Sequence, residues 1–432
     1  MSADRGVVAM VETQLSNFGL TPLRAAHELG YDAVLVGRDP ERYHALATAP
    51  EVFATYVAEV IVADTNSVDA VVQALEKVPQ LCGVLTVTDY QLPLVAEVAA
   101  RFGLPGLSPD AARQCRDKLL MRQACAAAGV PVPLFHHVTS EAGALRAAAE
   151  VGLPCVVKPM TESASIGVTL CRSPDEVRAA YHAISSVPTN FRGQPRRPGA
   201  LLEEYLLGIE VSVESVLIDG RRDVLGVTDK ALGPHPYFVE TGDTFPSMLS
   251  PGLLDACVDA ALGALTAVGH DFGAAHVEVK LTADGPRVVE VNGRMAGDEI
   301  SALIREATGV YLQRELVRLH VGEPADLARS TDRAAASRYL VAPTAGILCG
   351  VEGVELARRM PGVLEVEIEA HPGEPVGPAA NNLELLGHVV AVADTPGDAA
   401  RLADAALGQL TVRTAGPRRQ TVQAPASDPA PP

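Results

Sequence analysis

The first hundred residues alternate between short apolar runs and longer segments with helical spacing. The apolar runs are "VVAMVE", "AVLVGR" and "GVLTVTD", and the helical segments are "PLRAAHELG", "VDAVVQALEKV" and "LPLVAEVAARFGLPG". Short apolar strands separated by amphipathic helices predict a parallel sheet that is covered on both faces. The loop after the first strand, "TQLSNFG", lacks the GxGxxG pattern, so we do not predict a dinucleotide site there.

The next two hundred residues contain longer elements. Ser108 and Pro109 are a typical helix start, and the helix is predicted to continue to Gly129. Strands are predicted at "LPCVVKPM", "ALLEEYL", "EVSVESVLIDG" and "RDVLGVTDKAL", followed by a helix over residues 251–269 and a hairpin. The segment 188–199 is rich in proline, glycine and arginine, which predicts an exposed loop.

The last hundred residues change pattern again. Segments such as "ASRYLVAPTAGILCGVEG" and "VLEVEIEA", with a final helix near residues 396–411, predict a small separate α+β unit. The stretch "AGPRRQTVQAPASDPAPP", residues 415–432, is predicted to be a disordered tail.

Length, composition and charge narrow the possible classes of function. A chain of 432 residues suggests about two to four domains, and 48% hydrophobic with 20% charged residues is ordinary for a soluble globular protein. The formal net charge of −18 argues against a nucleic-acid partner, which would require a basic face. No apolar run is long enough to span a membrane. The seven scattered cysteines contain no CxxC pair, so we expect reduced core cysteines in a cytoplasmic protein.

The predicted hairpin over residues 274–300 carries an unusual pair of charges. Counting outward from the turn at Asp284 and Gly285 places Glu278 directly opposite Glu290. Like charges that face each other across a strand pair destabilise it, so the arrangement suggests that the two carboxylates bind a cationic partner.

Two interpretations of the hairpin remain open at this point. Mg²⁺ prefers oxygen ligands, and Asn292 adds an amide oxygen on the same face as Glu278 and Glu290. Arg294 continues that face and could bind a carboxylate or phosphate in bidentate fashion. The alternative is a structural ion-pair cluster, in which Lys280 neutralises one glutamate.

A small-residue loop follows a strand that ends in a lysine. The loop "ESASIGV" contains Ser163, Ser165 and Gly167, and small residues let backbone N–H groups approach phosphate oxygens. Lys158 ends the apolar strand before it and needs a partner, which a phosphate could supply. The alternatives are an ordinary turn and a lysine that extends to the surface. Lys118, in a charged helix, is expected to be solvated.

The segment "LLEEYLLGIEVSVESV" places Glu203 and Glu204 on opposite sides of a strand, with Glu210 beyond the glycine of a turn. A strand-to-loop segment such as "EEYL" can offer backbone groups to a purine edge, and a carboxylate can accept hydrogen bonds from ribose hydroxyls. Glutamates that flank a turn are more often simply solvated, and both interpretations are kept.

These motifs occur in a recognisable order. The arrangement "DKLLMRQACAAAGVPVP", "VVKP", "SASIGV", "EEYLLGIEVSVE", "HVEVK" and "VVEVNGR", over residues 108 to 315, resembles the ATP-grasp superfamily, in which ATP lies between two α+β lobes. The preceding region is similar to the N-terminal Rossmann-like lobe of that superfamily. The C-terminal region, with "PTAGILCGVEGVELARRMPGV", is similar to the extension of the L-amino-acid ligase branch.

The resemblance implies a fold class of α/β and α+β type, an ATP-grasp fold with an N-terminal Rossmann-like lobe. The implied domains are residues 1–107 (Rossmann-like), 108–330 (ATP-grasp, with a lid subdomain at about 130–205), 331–414 (C-terminal extension) and 415–432 (tail).

The resemblance also implies roles for individual residues. The implied ATP contacts are Lys118 and Lys158 to phosphates, the loop of Ser163, Ser165 and Gly167 over them, the adenine hinge of Glu203, Glu204, Tyr205 and Leu206, and Glu210 to ribose. The implied metal ligands are Glu278, Glu290 and Asn292, holding two Mg²⁺ ions with Mn²⁺ as the alternative. The implied catalytic residues are Arg294, which holds the reacting carboxylate, together with Glu290 and Lys158.

Substrate selection is expected in the segment "DKALGPHPYFVETGDTFPS". The ligase branch commonly has a glutamate there, followed three residues later by a histidine, whereas Glu240 is followed by Asp243. Two carboxylates favour a substrate with an ammonium or guanidinium group; alternatively, Asp243 only caps the turn "TGDT". Arg294 and Gly297 complete the expected substrate contacts.

Two histidines in these regions have possible supporting roles. His235 in "GPHP" could be a base for the amine or part of a simple turn. His276, opposite Asn292, is expected to support the metal ligands rather than bind the metal.

The function implied by the resemblance is an ADP-forming carbon–nitrogen ligase that uses ATP and Mg²⁺. It would convert a carboxylate, expected to be that of an amino acid, into an acyl phosphate and condense it with an amine in specialised biosynthesis. The expected partners are these small molecules and a second copy of the chain in a homodimer, without nucleic acid or membrane. The alternatives are a non-amino-acid carboxylate, a carboxylation like that of biotin carboxylases, and a non-catalytic nucleotide-binding protein. No carrier-lysine domain is recognised in the sequence, which argues against carboxylation, and the intact hairpin residues argue against a non-catalytic protein.

Overall fold

The computed structural model describes residues 6–416 except 17, 45, 47 and 298. The strands β1 to β19 are, in chain order, Val7–Val11, Asp32–Gly37, Val57–Val62, Leu81–Leu85, Phe135–Val138, Cys155–Lys158, Thr169–Cys171, Ala200–Glu204, Gly208–Ile218, Arg221–Leu232, Glu240–Phe245, Gly273–Thr282, Gly285–Asn292, Ala334–Leu340, Gly346–Glu352, Val363–Ile368, Pro375–Val376, Gly387–Ala393 and Thr411–Ala415. The helices α1 to α13 are Thr21–Glu28, Ala49–Thr55, Val68–Leu75, Leu92–Phe102, Pro109–Arg116, Lys118–Ala127, Glu141–Val151, Pro174–Ser185, Pro251–Ala267, Ile300–Thr308, Leu312–His320, Val354–Arg358 and Pro396–Leu407.

The N-terminal domain is built on a parallel sheet with the order β3-β2-β1-β4. Val8 and Met10 of β1 belong to one buried cluster, whereas Ala9 and Val11 belong to another. Because successive side chains of a strand point to opposite faces, these two clusters lie on opposite sides of the sheet. The predicted parallel sheet with both faces covered is therefore confirmed.

A second sheet forms the lid, which we define as the strands β5 to β8 with the helices α7 and α8. Its order is β5-β8-β6-β7, and every pair is antiparallel. Apolar side chains of the two helices and of β6 and β8 share one buried cluster beneath the sheet. The opposite face of the lid is thus left for Lys158, at the end of β6, and for the residues that follow β8.

A central sheet of eight strands has the order β13-β12-β9-β10-β11-β14-β18-β16, and a small sheet of three strands has the order β17-β15-β19. The strands β14, β16 and β18 come from the C-terminal region and hydrogen-bond to the sheet through β11 and β14, where Asp243 pairs with Ser337. A buried cluster spans this junction and includes Phe245, Ile304 and Val390. The C-terminal region was predicted to be a small separate α+β unit; three of its strands, β14, β16 and β18, extend the central sheet, whereas β15, β17 and β19 form the small sheet.

The predicted long helix after Ser108 is in fact two helices, α5 and α6. Asp117 between them is extended, and its Oδ1 accepts hydrogen bonds from the N–H groups of Leu119 at 2.9 Å and Leu120 at 3.2 Å. A side chain that caps a new helix stops the preceding one, because it satisfies N–H groups that would otherwise lack partners. The break places Lys118 in the first turn of α6.

Three predictions near the C-terminus and in the loops also change. The final helix, predicted near 396–411, ends at Leu407, and the following residues form β19. The predicted tail begins too early, because Ala415 ends β19, and its remainder from residue 417 lies outside the described residues. The predicted exposed loop 188–199 buries two of its arginine side chains, which are treated with the site below.

The cysteines are free thiols, as predicted, and five of them are buried: Cys115, Cys125, Cys155, Cys171 and Cys257. Cys349 is exposed and Cys82 is half-buried, so the expectation of core positions holds for most but not all of them. Within the described part of the chain, no helix combines the length and the apolar character needed to cross a membrane.

Candidate active site

A cavity of about 330 Å³ lies where the lid, the central sheet, the N-terminal domain and the C-terminal region meet. Most of the site residues predicted from sequence line it: Lys118, Lys158, Ser163, Ser165, Glu203, Glu204, Tyr205, Leu206, Glu210, Glu240, Glu278, Glu290, Asn292, Arg294 and Gly297. Gly167 and Asp243 are not part of the cavity wall. Residues that are far apart in the sequence therefore converge on one space.

The hairpin of β12 and β13 has the predicted pairing. Glu278 lies opposite Glu290, and His276 lies opposite Asn292. The pairing includes a bulge that counting from the turn did not anticipate, since Val279 pairs with Val288 and the next pair skips Val289.

The bulge is stabilised by a buried arginine. The Nη2 group of Arg122, on α6, donates a 2.7 Å hydrogen bond to the carbonyl oxygen of Val289. Bulges leave one residue without a ladder partner, so this bond satisfies a carbonyl that the strands do not pair.

Each hairpin glutamate has a cationic partner from another element. Lys118 Nζ lies 3.0 Å from Glu290 Oε1, and Lys230 Nζ lies 2.9 Å from Glu278 Oε1. Lys280, which was expected to neutralise one of the pair, instead lies 3.0 Å from Glu210 on the neighbouring strand β9. The expectation about Lys280 is wrong because its cross-strand neighbour is nearer than either hairpin glutamate.

His276 is a buried cation next to this pair. Burial alone would lower the pKa of His276, but Glu214 at 2.8 Å from Nδ1 and Glu278 at 3.4 Å from Nε2 raise it to about 10. Burial would also raise the pKa of Glu278, yet Lys230 and His276 hold it well below its usual range. Glu278 is thus kept ionised, and both ring nitrogens of His276 face carboxylates.

The residues present fit a hard divalent cation. The Asn292 amide, in the orientation that satisfies its hydrogen bonds, places nitrogen 3.1 Å from Glu290 Oε1 and 3.2 Å from Asp89 Oδ1. Rotation of that amide would turn its oxygen toward the same carboxylates, which gives an all-oxygen donor set together with Glu278. Mg²⁺ chemistry matches this set better than the chemistry of metals that prefer sulfur or imidazole ligands.

Lys158 and Glu203 form a buried ionic group in the lid. Lys158 Nζ lies 2.7 Å from Glu203 Oε2, and Arg122 Nε lies 2.6 Å from Glu203 Oε1. Burial lowers the pKa of Lys158, and the two cations hold the pKa of Glu203 below its usual value despite burial. Lys158 is 4% exposed and Lys118 is 6% exposed, so neither the surface nor the solvated interpretation of these lysines holds.

The loop after Lys158 has an unusual backbone. Ala164 and Ser165 have left-handed φ values of 54° and 58°, which are strained for residues with side chains. Ser163 Oγ donates to Asp89 at 2.7 Å, and Ser165 Oγ donates to the carbonyl of Phe238 at 2.8 Å. The loop is therefore held over the cavity by hydrogen bonds to the N-terminal domain and to the central sheet.

The predicted adenine hinge begins where β8 ends. Glu204 Oε1 accepts hydrogen bonds from Leu134 N at 2.9 Å and from Arg287 Nη1 at 3.2 Å, while Glu203 lies on the cavity side of the lid sheet, next to Lys158. Tyr205 OH and His235 Nε2 are 2.9 Å apart. His235 lies in a turn and does not line the cavity, so the turn interpretation fits its position better than that of a base.

Arg294 is held by a carboxylate that the sequence analysis missed. Its Nε and Nη2 lie 2.8 Å and 2.5 Å from the two oxygens of Asp89, which follows β4 in the N-terminal domain. Although burial raises the pKa of Asp89, Arg294 lowers it to about 2. The position of Asp89 directly after an apolar strand was the available signal, because such positions meet at one edge of a parallel sheet.

The two expected substrate carboxylates differ in their surroundings. Glu240 lines the cavity, but its Oε1 lies 2.8 Å from Lys230. Asp243 is 1% exposed within β11 and accepts a 2.9 Å hydrogen bond from Tyr339 OH. Asp243 therefore neither caps a turn nor reaches the cavity, and it acts through Tyr339, which does line the cavity.

The loop 188–199 contributes a further residue to the cavity wall. Arg192 lies 3.3 Å from Glu12 Oε2 and donates a 2.5 Å hydrogen bond to the carbonyl of Thr13. Arg196 pairs with Glu162 beside it. Much of the loop is exposed, as predicted. These two guanidinium groups nevertheless pair with buried carboxylates, Glu12 in the N-terminal domain and Glu162 in the lid, which sequence composition does not reveal.

Models of three protein families match this chain in succession. Residues 23–106 match the ATP-grasp N-terminal domain, residues 151–302 the ATP-grasp domain and residues 338–415 the L-amino acid ligase C-terminal domain 2.

The chain is also similar to individual proteins. It is 32% identical over 392 residues to an uncharacterized protein, y4rH, of Sinorhizobium fredii, covering 90% of this chain and 79% of that protein. It is 31% identical over 259 residues to human carnosine synthase 1, covering 56% of this chain but only 31% of that longer protein. The crystal structure of an L-amino acid ligase from Bacillus licheniformis has the same fold, with a TM-score of 0.78 at 20% identity over 95% of this chain and 99% of that one.

Proposed function

Because this chain belongs to the ATP-grasp family and carries the C-terminal domain of L-amino acid ligases, we propose that it joins two amino acids or amino-acid-like units. ATP-grasp enzymes of this type are carbon–nitrogen ligases that use ATP and a divalent metal. The proposed reaction transfers the γ-phosphoryl group to one carboxylate, and an amine then displaces phosphate to form an amide.

The observation that carries this proposal is the convergence of Glu278, Glu290 and Asn292 with Arg294 and Lys158 on one cavity. Glu278, Glu290 and Asn292 would hold a divalent cation that neutralises phosphate charge, Lys158 supplies a buried cation, and Arg294 supplies a guanidinium charge for a carboxylate. A carboxylate becomes reactive toward amines only after activation, and this constellation provides charge stabilisation where the phosphoryl group would pass.

The individual residues would then have distinct roles. Bound Mg²⁺, as two ions, would shield the charge of the transferring phosphoryl group. Lys118 and Lys158 would exchange their present carboxylate partners for phosphate oxygens, since both lie on the cavity wall. Arg294 would hold the reacting carboxylate, and Asp89 would keep that guanidinium in place.

Water must be kept from the acyl phosphate, which it would hydrolyse. The loop of Ser163 and Ser165 is the element placed to cover the phosphates, and its backbone contacts the C-terminal region through Asn382 N, which donates to the carbonyl of Ala164 at 3.0 Å. We propose that Gly167 serves this loop through its positive φ of 74° rather than by contacting phosphate.

The proposal is tested by measuring phosphate release from ATP in the presence of Mg²⁺ and pairs of amino acids. The products are identified by mass spectrometry. Release that requires two amino acids and yields a new amide is the expected result. Glu290→Gln should abolish it, whereas Glu355→Gln, which changes an exposed carboxylate paired with Arg358, should leave it unchanged. Phosphate release only with carboxylates other than amino acids would show that the substrate is not an amino acid. ATP binding without turnover under all conditions would favour a non-catalytic protein.

The homodimer and the cytoplasmic location stay predictions.

A further inference from the structure

One end of the cavity is formed by the C-terminal region. His388 on β18 lies between Tyr339 on β14 and Glu367 on β16, which are its cross-strand neighbours. His388, Tyr339 and Glu369 line the cavity, as does Glu299 at the start of α10. None of the reaction roles proposed above uses this end.

Four carboxylates surround the single imidazole at this end, and we call this group the His388 cluster. His388 Nε2 lies 3.6 Å from Glu299 and 4.0 Å from Glu367, and Nδ1 lies 3.5 Å from Glu369. Glu365 is close enough to form a potential ligand group with His388 and Glu299. Even with His388 protonated, the cluster carries an excess of negative charge.

The cluster also contains a buried polar atom without a hydrogen-bond partner. His388 is 3% exposed, and among the described residues its Nε2 atom has no partner within hydrogen-bonding distance. Buried polar side-chain atoms are nearly always hydrogen-bonded, so such an atom on a cavity wall points to a missing ligand. The distance of 3.6 Å to Glu299 is too long for a hydrogen bond, yet a ligand group beside them could contact both.

Part of the cavity wall is apolar. Ile300, Leu383 and Leu385 line the cavity together with the residues of the cluster. Long cationic side chains commonly bury their methylene stems along such surfaces while the charged end reaches a polar partner. The cavity therefore combines a wall suited to an alkyl chain with an anionic end.

We propose that the His388 cluster binds the side-chain ammonium or guanidinium group of one amino-acid substrate and so selects lysine-like or arginine-like substrates. This inference rests on the proposed function. Glu299 and Glu369 would accept hydrogen bonds from the substrate cation, which would replace the positive charge of the imidazolium. His388 would release its proton to solvent on binding, and its Nε2 would then accept a further hydrogen bond. The carboxylates already favour a cation at this place, because they raise the pKa of His388 to about 9 despite its burial.

A chain of contacts holds Glu299 in position. Asp243 accepts the hydroxyl hydrogen of Tyr339, and the N–H of Glu299 donates to the same hydroxyl oxygen at 3.4 Å. The sequence suggested that Glu240 and Asp243 select a cationic substrate. We assign this selection to the His388 cluster instead. Lys230 neutralises Glu240, and Asp243 is a positioning residue.

Matched pairs of substrates test the proposal, because they differ in charge but hardly in shape. The wild-type protein should form amides with arginine in preference to citrulline and with lysine in preference to norleucine, by about 10- to 100-fold in kcat/KM, as expected for charge-assisted hydrogen bonds. Glu299→Gln should remove most of this preference, measured as the ratio of kcat/KM within each pair. Glu374→Gln, which removes an exposed carboxylate of the same region, is the matched control and should keep the preference.

Failure of this inference and failure of the proposed function give different results. Amide formation without preference for the cationic member of either pair would overturn the inference and leave the ligase intact. If no amide forms with any pair, calorimetric titration of arginine and citrulline into the wild type and Glu299→Gln decides the matter. Binding of arginine that Glu299→Gln weakens would support the cluster as a cation site, and equal binding of both compounds, or tight binding of Zn²⁺ alone, would overturn it.

Discussion

Glu203 is buried between two cations, Lys158 on β6 and Arg122 on α6, and the consequences of removing its charge can be stated. Arg122 is fully buried and Lys158 nearly so, and neither has solvent to replace a lost carboxylate. Breaking a buried ion pair by neutralising one partner commonly costs about 3–5 kcal/mol, because it leaves an uncompensated charge. The net value of the intact group is much smaller, since desolvation offsets most of its attraction.

We therefore expect Glu203→Gln to lower the free energy of unfolding by about 3–5 kcal/mol in denaturant titrations. The adjacent Glu204→Gln is the control, because its half-exposed pair with Arg287 should contribute less than about 1 kcal/mol. Equal losses for the two variants would contradict the burial of Glu203 between Arg122 and Lys158.

His276 gives a pH dependence with a defined sign. Its pKa is about 10 in the folded protein, above the usual histidine value of 6.5. A raised pKa contributes stability that is fully present below the unfolded value and is lost as the pH rises through the folded value. The contribution of His276 should therefore fall between about pH 6.5 and pH 10.

Histidine titration by NMR checks this expectation. The His276 resonances should titrate near pH 10, and Glu214→Gln should move that midpoint downward. His270, whose pKa burial lowers to about 4, provides an internal reference that should stay neutral across the same range. A His276 midpoint near 6.5 would show that Glu214 and Glu278 do not hold its proton.

At the scale of elements, the hairpin shows both the reach and the limit of sequence analysis. The facing of Glu278 and Glu290 could be predicted, because strand periodicity and a turn signal are local properties. The bulge at Val289 could not be predicted from sequence, since it depends on Arg122, which lies far away in the sequence. The same applies to Lys230 and Asp89, whose roles follow from tertiary contacts that leave no periodic signal.

The break between α5 and α6 carries a prediction of its own. Asp117→Ala removes the cap of α6 and should cost about 1 kcal/mol of stability, as measured by denaturant titration. Because Lys118 occupies the first turn of α6, the same change should also raise the KM for ATP. Ser173→Ala removes an equivalent cap from α8, where Ser173 Oγ accepts from Glu176 N at 3.2 Å, and should affect stability alone. An unchanged KM for ATP in both variants would show that Lys118 does not contribute to nucleotide binding.

At the scale of the whole molecule, the apolar alternation of the N-terminal domain and the order of the motifs were sufficient to predict the general architecture. The pairing of C-terminal strands with the central sheet was not predictable, because a strand's own sequence does not specify the sheet edge with which it pairs. That junction matters for function, since it brings Tyr339 and His388 to the cavity.

A chain that ends at residue 330 should not fold as a stable monomer. It would expose the edge of β11, with Phe245 and its neighbours of the junction cluster, and unpaired apolar edges promote aggregation. A chain that ends at residue 416 keeps all described strands and should unfold cooperatively at the wild-type temperature. Soluble yield and calorimetry of the two truncations check this, and a soluble, cooperative shorter chain would show that the junction is dispensable.

The arginines of the loop 188–199 have a consequence for how substrates enter. Arg192 fastens this loop to Glu12 and Thr13, so the lid cannot lift away from the central sheet without either breaking these contacts or taking the N-terminal domain with it. Because the contacts are nearly inaccessible to solvent, salt should screen them weakly. Nucleotide and amino acids would therefore enter the cavity through the same opening movement of the lid. Hydrogen exchange in this loop should slow when either ligand is added.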